Sequence, residues 1–193
     1  MTAELPTDLP IKHFRNAAAF EKWLAANVGE KGLWLKIAKK ESGIASVTYT
    51  EAIEVALCHG WIDGLKRSCD AQFFLQRFTP RRPRSLWSKI NIGHVERLTT
   101  AGRMRPAGLR EVEAAKADGR WQAAYDSATT MEVHAELAAA LAKNRKAKAF
   151  FETLDKTNRY AVCWRVQTAK KPETRASRIE KLVAMLARGE KIH

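Results

Sequence analysis

The chain has 193 residues, 46% of them hydrophobic, with 34 Lys/Arg against 21 Asp/Glu and a formal net charge of +13. That length suits one domain or two small lobes around a shared core, and no apolar run approaches the roughly 20 residues needed to span a bilayer. A charge this basic points to an acidic partner: nucleic acid, anionic lipid or an acidic protein.

The charge is unevenly spread. Residues 61–110 hold eleven Lys/Arg and three Asp/Glu, residues 111–142 are net acidic, and residues 143–193 are basic again. The opening Met1-Thr2-Ala3-Glu4-Leu5-Pro6 has no basic end followed by an apolar run, so it does not read as a signal peptide. Cys58, Cys69 and Cys163 show no Cys-x-x-Cys spacing, and an odd, sparse set suits free thiols in a reducing compartment. The expected location is the cytoplasm.

Taken in order, residues 1–10 read as a loosely held arm. Asn16 caps a helix to about Val28, with Phe20, Trp23 and Leu24 on one face, and Gly29 stops it. Leu33, Leu35 and Ile37 alternate with Trp34 and Lys36 as in a strand. Thr48 and Glu51 form a capping-box pattern before a helix that buries Ala52, Ile53, Ala56 and Leu57. Gly60 is its left-handed end. Leu65–Ser68 and Phe73–Phe78 form two antiparallel strands. Pro80 and Pro83 make 79–84 an extended basic connector. Ser85 caps a helix to about Thr100, and Pro106 opens another to about Asp118. From about Met131 the pattern is helical only, ending in a helix opened by Pro172 with Ile179, Leu182, Val183 and Leu186 on one stripe. The expected fold is α+β: a small antiparallel sheet with helices over 1–125, then an all-α helical region over 126–193. The boundary falls within 120–132.

The candidate chemistry lies between Trp61 and Asn91. Asp63 reads as a turn aspartate or structural ion pair, as a pocket wall held by arginine, or as a general base. A carboxylate paired with arginine is a poor base, because its pKa falls. Arg77, Arg81, Arg82 and Arg84 offer two-pronged donation to phosphate or carboxylate. The plain alternative is a solvated basic loop. The interleaved Phe78 and Trp87, and the start of the Ser85 helix, favour an anion site. The expected ligand-binding set is Trp61, Asp63, Arg77, Arg81, Ser85, Trp87 and Asn91, with Arg77, Arg81 and Ser85 converging on one anion. Cys58, His59, Cys69 and His94 fit no zinc spacing, so no metal is expected. No cofactor is expected either: the chain has no P-loop and no Gly-x-Gly-x-x-Gly. The Lys170–Arg175 junction suits a helical hairpin with a basic face better than a helix-turn-helix reader.

The run Ala56–Gly64, with Arg77–Arg81, Ser85-Leu86-Trp87-Ser88 and Asn91, resembles the YdeI/OmpD-associated family of bacteriocin-protection proteins. The run Ala169–Arg175, with Arg178-Ile179, resembles that family's tail, and the likeness extends from about Phe14 to Gly189. The resemblance implies a bacterial protein, a link to stress or cationic antimicrobial peptide resistance, and a first half related to YjbR/CyaY-like domains. It implies no catalytic mechanism. The function expected is therefore non-enzymatic binding of an anionic small molecule or acidic protein surface through a basic aromatic site. Two alternatives stay open: an enzyme with a pocket of Trp61, Asp63, Arg77 and Asn91, and a non-specific nucleic-acid binder. If the charge acts only as a general polyanion-binding surface, duplex binding is weak and insensitive to sequence, with dissociation constants on the order of 10⁻⁴–10⁻⁶ M at physiological salt and a steep salt dependence. Titrating two unrelated duplexes at several salt concentrations checks this, and strong discrimination between them overturns it.

Overall fold

The structure is a computed structural model that describes residues 5–193. The chain divides into two compact units, one of residues 1–87 and 91–123, the other of residues 88–90 and 124–193.

The first unit is α+β. Its strands are β1 (Ile11–His13), β2 (Leu33–Ala38), β3 (Trp61–Ser68) and β4 (Phe73–Pro80), in sheet order β1-β2-β4-β3. β2 with β4 and β4 with β3 are antiparallel, whereas β1 runs parallel to β2. The sheet is therefore mixed, not purely antiparallel. A three-residue strand has no periodicity to read, so the sequence pattern gave no sign of β1. A parallel pair needs a crossover, and helix α1 (Ala17–Ala26) lies between β1 and β2 in the chain.

Caps start the helices where the residue types direct. Asn16 accepts a hydrogen bond from the Ala19 N–H at 2.9 Å at the start of α1. Thr48 and Glu51 form both halves of a capping box on α2 (Tyr49–Cys58). Gly60 then turns left-handed, at φ 76°, and β3 begins at the next residue. Asp63 thus lies in a strand, not in a loop beyond the helix. Residues directly opposite in a sheet share a face. Leu33 faces Phe78, and Phe20 of α1 meets Phe78 with ring centroids 5.8 Å apart. Trp34 faces Arg77 on the opposite side.

Helix α3 (Lys89–Thr100) starts four residues later than Ser85. Ser85 instead closes a tight turn, donating its N–H to the Arg82 carbonyl and accepting the Arg82 N–H at its Oγ, both at 3.0 Å. Arg84 sits inside this turn at φ 67°, a conformation a helical first turn cannot use. Trp87 consequently precedes α3 and lies outside the helix expected from Ser85. Helix α4 (Pro106–Ala117) has its proline in the first turn.

The second unit is helical: α5 (Ala135–Ala142), α6 (Arg145–Glu152), α7 (Lys156–Gln167) and α8 (Pro172–Ala187). Its core includes Leu137, Phe151, Val162, Val166, Ile179 and Leu186. Residues 131–134 carry no helix, so the helical stretch opens at Ala135. Among the described residues no helix is long and apolar enough to cross a membrane.

α4 packs on the end of α2 at closest range through Gly108. A Cβ there would lie 2.6 Å from the Leu57 carbonyl oxygen and closer still to that of Cys58. Gly93, inside α3, has nothing within 4 Å of the same atom. Gly108→Ala is expected to destabilise the protein by about 1–3 kcal/mol, and Gly93→Ala to stabilise it by about 0.5–1 kcal/mol. Urea unfolding of the two variants checks the contrast.

Candidate functional site

The strongest candidate lies on the sheet face that carries Trp34 and Arg77. Trp34 is 1% exposed although it alternates with inward-facing leucines. The cover comes from the segment leading into β1. Asp8 accepts a hydrogen bond from the Trp34 Nε1 at 2.8 Å and pairs with the Arg77 Nη2 at 3.1 Å. The arm over residues 5–8 is thus tied to the sheet, which corrects the reading of it as loosely held; Met1–Glu4 lie outside the described residues. The guanidinium of Arg77 sits 5.9 Å from the Trp34 ring centroid, and that of Arg67 sits 5.5 Å from it. Leu5, Pro6, Thr7 and Asp8 line one side of a cavity of about 370 Å³, and Trp34, Leu65, Arg67 and Arg77 line the other.

Two features of this cradle concern anions. Asp8 engages Arg77 through Nη2, and the buried Nε of Arg77 has no acceptor among the described residues. Arg67 has no carboxylate at ion-pair distance among them. The indole hydrogen bond, then Arg77 and more weakly Arg67, hold the Asp8 carboxyl below the usual carboxylate range against its partial desolvation. A depressed folded value means that this contact is present at neutral pH and is lost as pH falls through the lowered range.

The expected site residues do not gather at one point. Arg77 and Arg81 line different cavities. Arg81 is 6% exposed, donates through Nη1 to the Leu86 carbonyl at 3.2 Å and stacks 3.5 Å from the Trp87 ring centroid. Trp87 packs against Trp121, and its buried Nε1 finds no acceptor among the described residues. The carbonyl of Ser85 accepts from the Nη1 of buried Arg120 at 2.9 Å, and Arg120 Nε pairs with Asp118. These surroundings make the Arg81–Trp87 stack an internal strut. Trp61 is buried against Trp23 and, with Arg81 and His59, lines a cavity of about 190 Å³. Asp63 accepts the Tyr49 hydroxyl at 2.7 Å and is not the anion of Arg77. Asn91 lies near the start of α3, half-buried.

Sequence reasoning missed Asp8, Trp34 and Arg67. Trp34 between two inward leucines was the available signal, because a tryptophan on the far face of a strand needs a cover. Nothing local marks Asp8 as its partner, 26 residues away.

In the second unit, the Asp126 carboxylate holds Lys89 Nζ at 2.7 Å and the Gln167 side-chain amide, whose oxygen accepts the Asp126 N–H at 3.0 Å. Tyr160 donates to the Asp126 carbonyl at 3.3 Å, and burial pushes its phenol up to about 12. Arg178 donates to the Arg165 carbonyl at 2.7 Å and Arg175 to that of Ala169 at 3.3 Å. Both arginines of the basic C-terminal run therefore close the end of α7 onto α8. Among the described residues no group of three or more His, Cys, Asp or Glu could hold a metal ion.

An α+β unit with a basic, aromatic sheet face, followed by a four-helix unit, is the class of protein this geometry defines. The family described as Domain of unknown function (DUF8412) matches residues 12–111, more than half of the chain, and the chain belongs to it. The family described as Bacteriocin-protection, YdeI or OmpD-Associated matches residues 130–189, which include the Ala169–Ile179 run. That resemblance is thus met in the helical part, while its central residues, from Ala56 to Asn91, fall within the first match. No curated protein and no solved structure matches the chain.

The three thiols are unpaired; Cys58 and Cys163 are buried and Cys69 is partly exposed. Burial pushes all three upward, and the thiolate is the reactive form. Native protein is expected to label quickly at Cys69 alone, faster as pH rises, and at all three positions once unfolded without reductant. Mass spectrometry of labelled peptides checks this; fewer than three thiols in the unfolded sample would reveal a disulfide.

Proposed function

We propose that the first unit binds an anionic ligand through the cradle of Trp34, Arg67 and Arg77. The observation that carries this reading is the carboxylate of Asp8, held there by the indole N–H and one guanidinium nitrogen. It supports a ligand that brings a carboxylate-like pair of oxygens against an aromatic floor. Asp8 uses part of the donor capacity and leaves Arg77 Nε and Arg67 for more. An external carboxylate that displaced it could take both Nε and Nη2 of Arg77, the two-pronged arrangement that arginine favours.

In the cell, this reading makes the chain a cytoplasmic bacterial protein of the bacteriocin-protection type, acting in stress or cationic-peptide resistance. The family match to residues 130–189 supports that role. A protein of net charge +13 repels cationic peptides. Protection is therefore assigned to binding an acidic partner, not to sequestering the peptide.

Succinate is a suitable probe, read by the Trp34 indole N–H resonance assigned through Trp34→Phe. Asp8→Ala removes the internal competitor and is expected to tighten succinate binding. Arg77→Ala removes a charged hydrogen-bond donor of about 1.5–3 kcal/mol and is expected to weaken binding by about tenfold to a hundredfold. A Trp34 resonance that stays unmoved by succinate in both wild type and Asp8→Ala overturns the proposal.

A further inference from the structure

We infer that the open edge of β3 is a docking site for an extended acidic peptide segment, which joins the sheet as a fifth strand and sets its carboxylates over Arg67 and Arg77. The inference rests on the cradle reading and adds to it the kind of partner and the way it is held.

The strand order leaves β3 paired on one side only, to β4. Trp61 is buried and Ile62 and Asp63 are half-buried, whereas Gly64, Leu65, Lys66, Arg67 and Ser68 are all exposed. The regular part, Lys66–Ser68, spans roughly 10 Å at about 3.4 Å per residue, and Gly64 and Leu65 continue the edge through an irregular stretch in which their carbonyls accept the Gln76 side-chain amide. An edge of this kind presents N–H and C=O groups to any chain that can lie beside it. Main-chain pairing of this sort supplies affinity, and the alternate side chains supply selection.

The side chains say which chain is accepted. Register places Arg67 opposite Leu75, on the Trp34–Arg77 face, where Leu65 also lines the cavity. Lys66 lies opposite Gln76 on the other face, its Nζ 4.4 Å from the Phe74 ring centroid. Both faces of the edge are therefore basic. The nearby acids have partners already: Asp63 takes the Tyr49 hydroxyl, and Asp70 pairs with Lys36 at 3.5 Å. Leu65, 60% exposed, adds an apolar contact beside Arg67 on the cradle face. An incoming strand with acids at alternate positions sets them all on the face of Arg67, and the apolar residues between them turn to the other face, beside the Lys66 stem and Phe74.

A second copy of the chain fits badly. Antiparallel pairing of β3 with itself, centred on Lys66 and Arg67, would set Lys66 of each copy against Arg67 of the other, and like charges directly opposite are destabilising. The irregularity between Asp63 and Lys66 also guards the edge against indiscriminate pairing. The edge is thus closed to basic strands and open to acidic ones.

Three synthetic peptides test this on the full chain: alternating Glu and Val, alternating Lys and Val, and the Glu–Val peptide N-methylated at every second residue. The acidic peptide is expected to slow amide exchange across residues 64–68 and to shift the Trp34 indole resonance. The lysine peptide is expected to do neither. N-methylation removes edge hydrogen bonds and is expected to weaken binding on the order of tenfold or more. Equal binding of the N-methylated peptide overturns strand addition. So does protection of residues 64–68 that depends on protein concentration without peptide, which would mean self-pairing. If succinate moves the Trp34 resonance while the acidic peptide leaves the edge amides unchanged, the inference fails and the cradle reading stands. If the peptide still protects the edge when succinate has no effect, strand addition stands and the cradle reading fails.

Discussion

Much of the first unit depends on one close approach of two backbones. Gly108 brings α4 onto the last carbonyls of α2, and no side chain fits between them. The Arg105 N–H adds a hydrogen bond of 3.1 Å to the Cys58 carbonyl. That contact fixes the end of α2 and so the left-handed turn at Gly60, whose own missing Cβ leaves room for the Ala107 carbonyl. β3 starts directly after this turn. The start of β3, which carries Arg67, thus follows a joint that contains no functional group, while the β2–β4 register sets Arg77 opposite Trp34.

The positive charge is distributed between two uses. Arg81, Arg120, Arg175 and Arg178 each donate to backbone carbonyls within their own unit. Two of them are almost fully buried. Arginine suits this task because its fork stays charged, lies flat on aromatic rings and satisfies several acceptors at once. Lys66, Arg67, Arg82 and Arg84 remain exposed. A formal charge read from composition counts both sets alike, so it overstates the cations available to a partner.

Local patterns carried most of the fold. The Asn16 and Thr48 caps, the Gly60 stop, the strand at Leu33 and the stripe of α8 depend on residues a few positions apart, and each element stands close to where its pattern places it. The misses came from longer range or weaker signals. β1 is three residues long and exists because β2 offers it an edge. The turn at Arg82–Ser85 defeated the helix expected from Ser85, since a serine before an apolar run reads the same whether it caps a helix or closes a turn. The site was legible in type, basic and aromatic, but not in membership. Arg77 and Arg81 are four apart in sequence, yet Arg77 reaches back to Asp8 and Arg81 turns in to Trp87.

The clasp at the end of α7 gives the second unit an asymmetry. There, Arg178 and Arg175 meet the carbonyls of Arg165 and Ala169, where a helix terminus concentrates negative partial charge. Further along α8, Ile179, Leu182 and Leu186 enter the apolar core. The clasp thus adds charge at one end of a seam whose apolar contacts run from Val166 and Ile179, beside it, to Leu186. The two joints answer to different variables. Added salt loosens the first by screening, and cooling loosens the second as apolar burial weakens. In brine such a unit loosens at the clasp alone; in the cold it loosens along the whole seam.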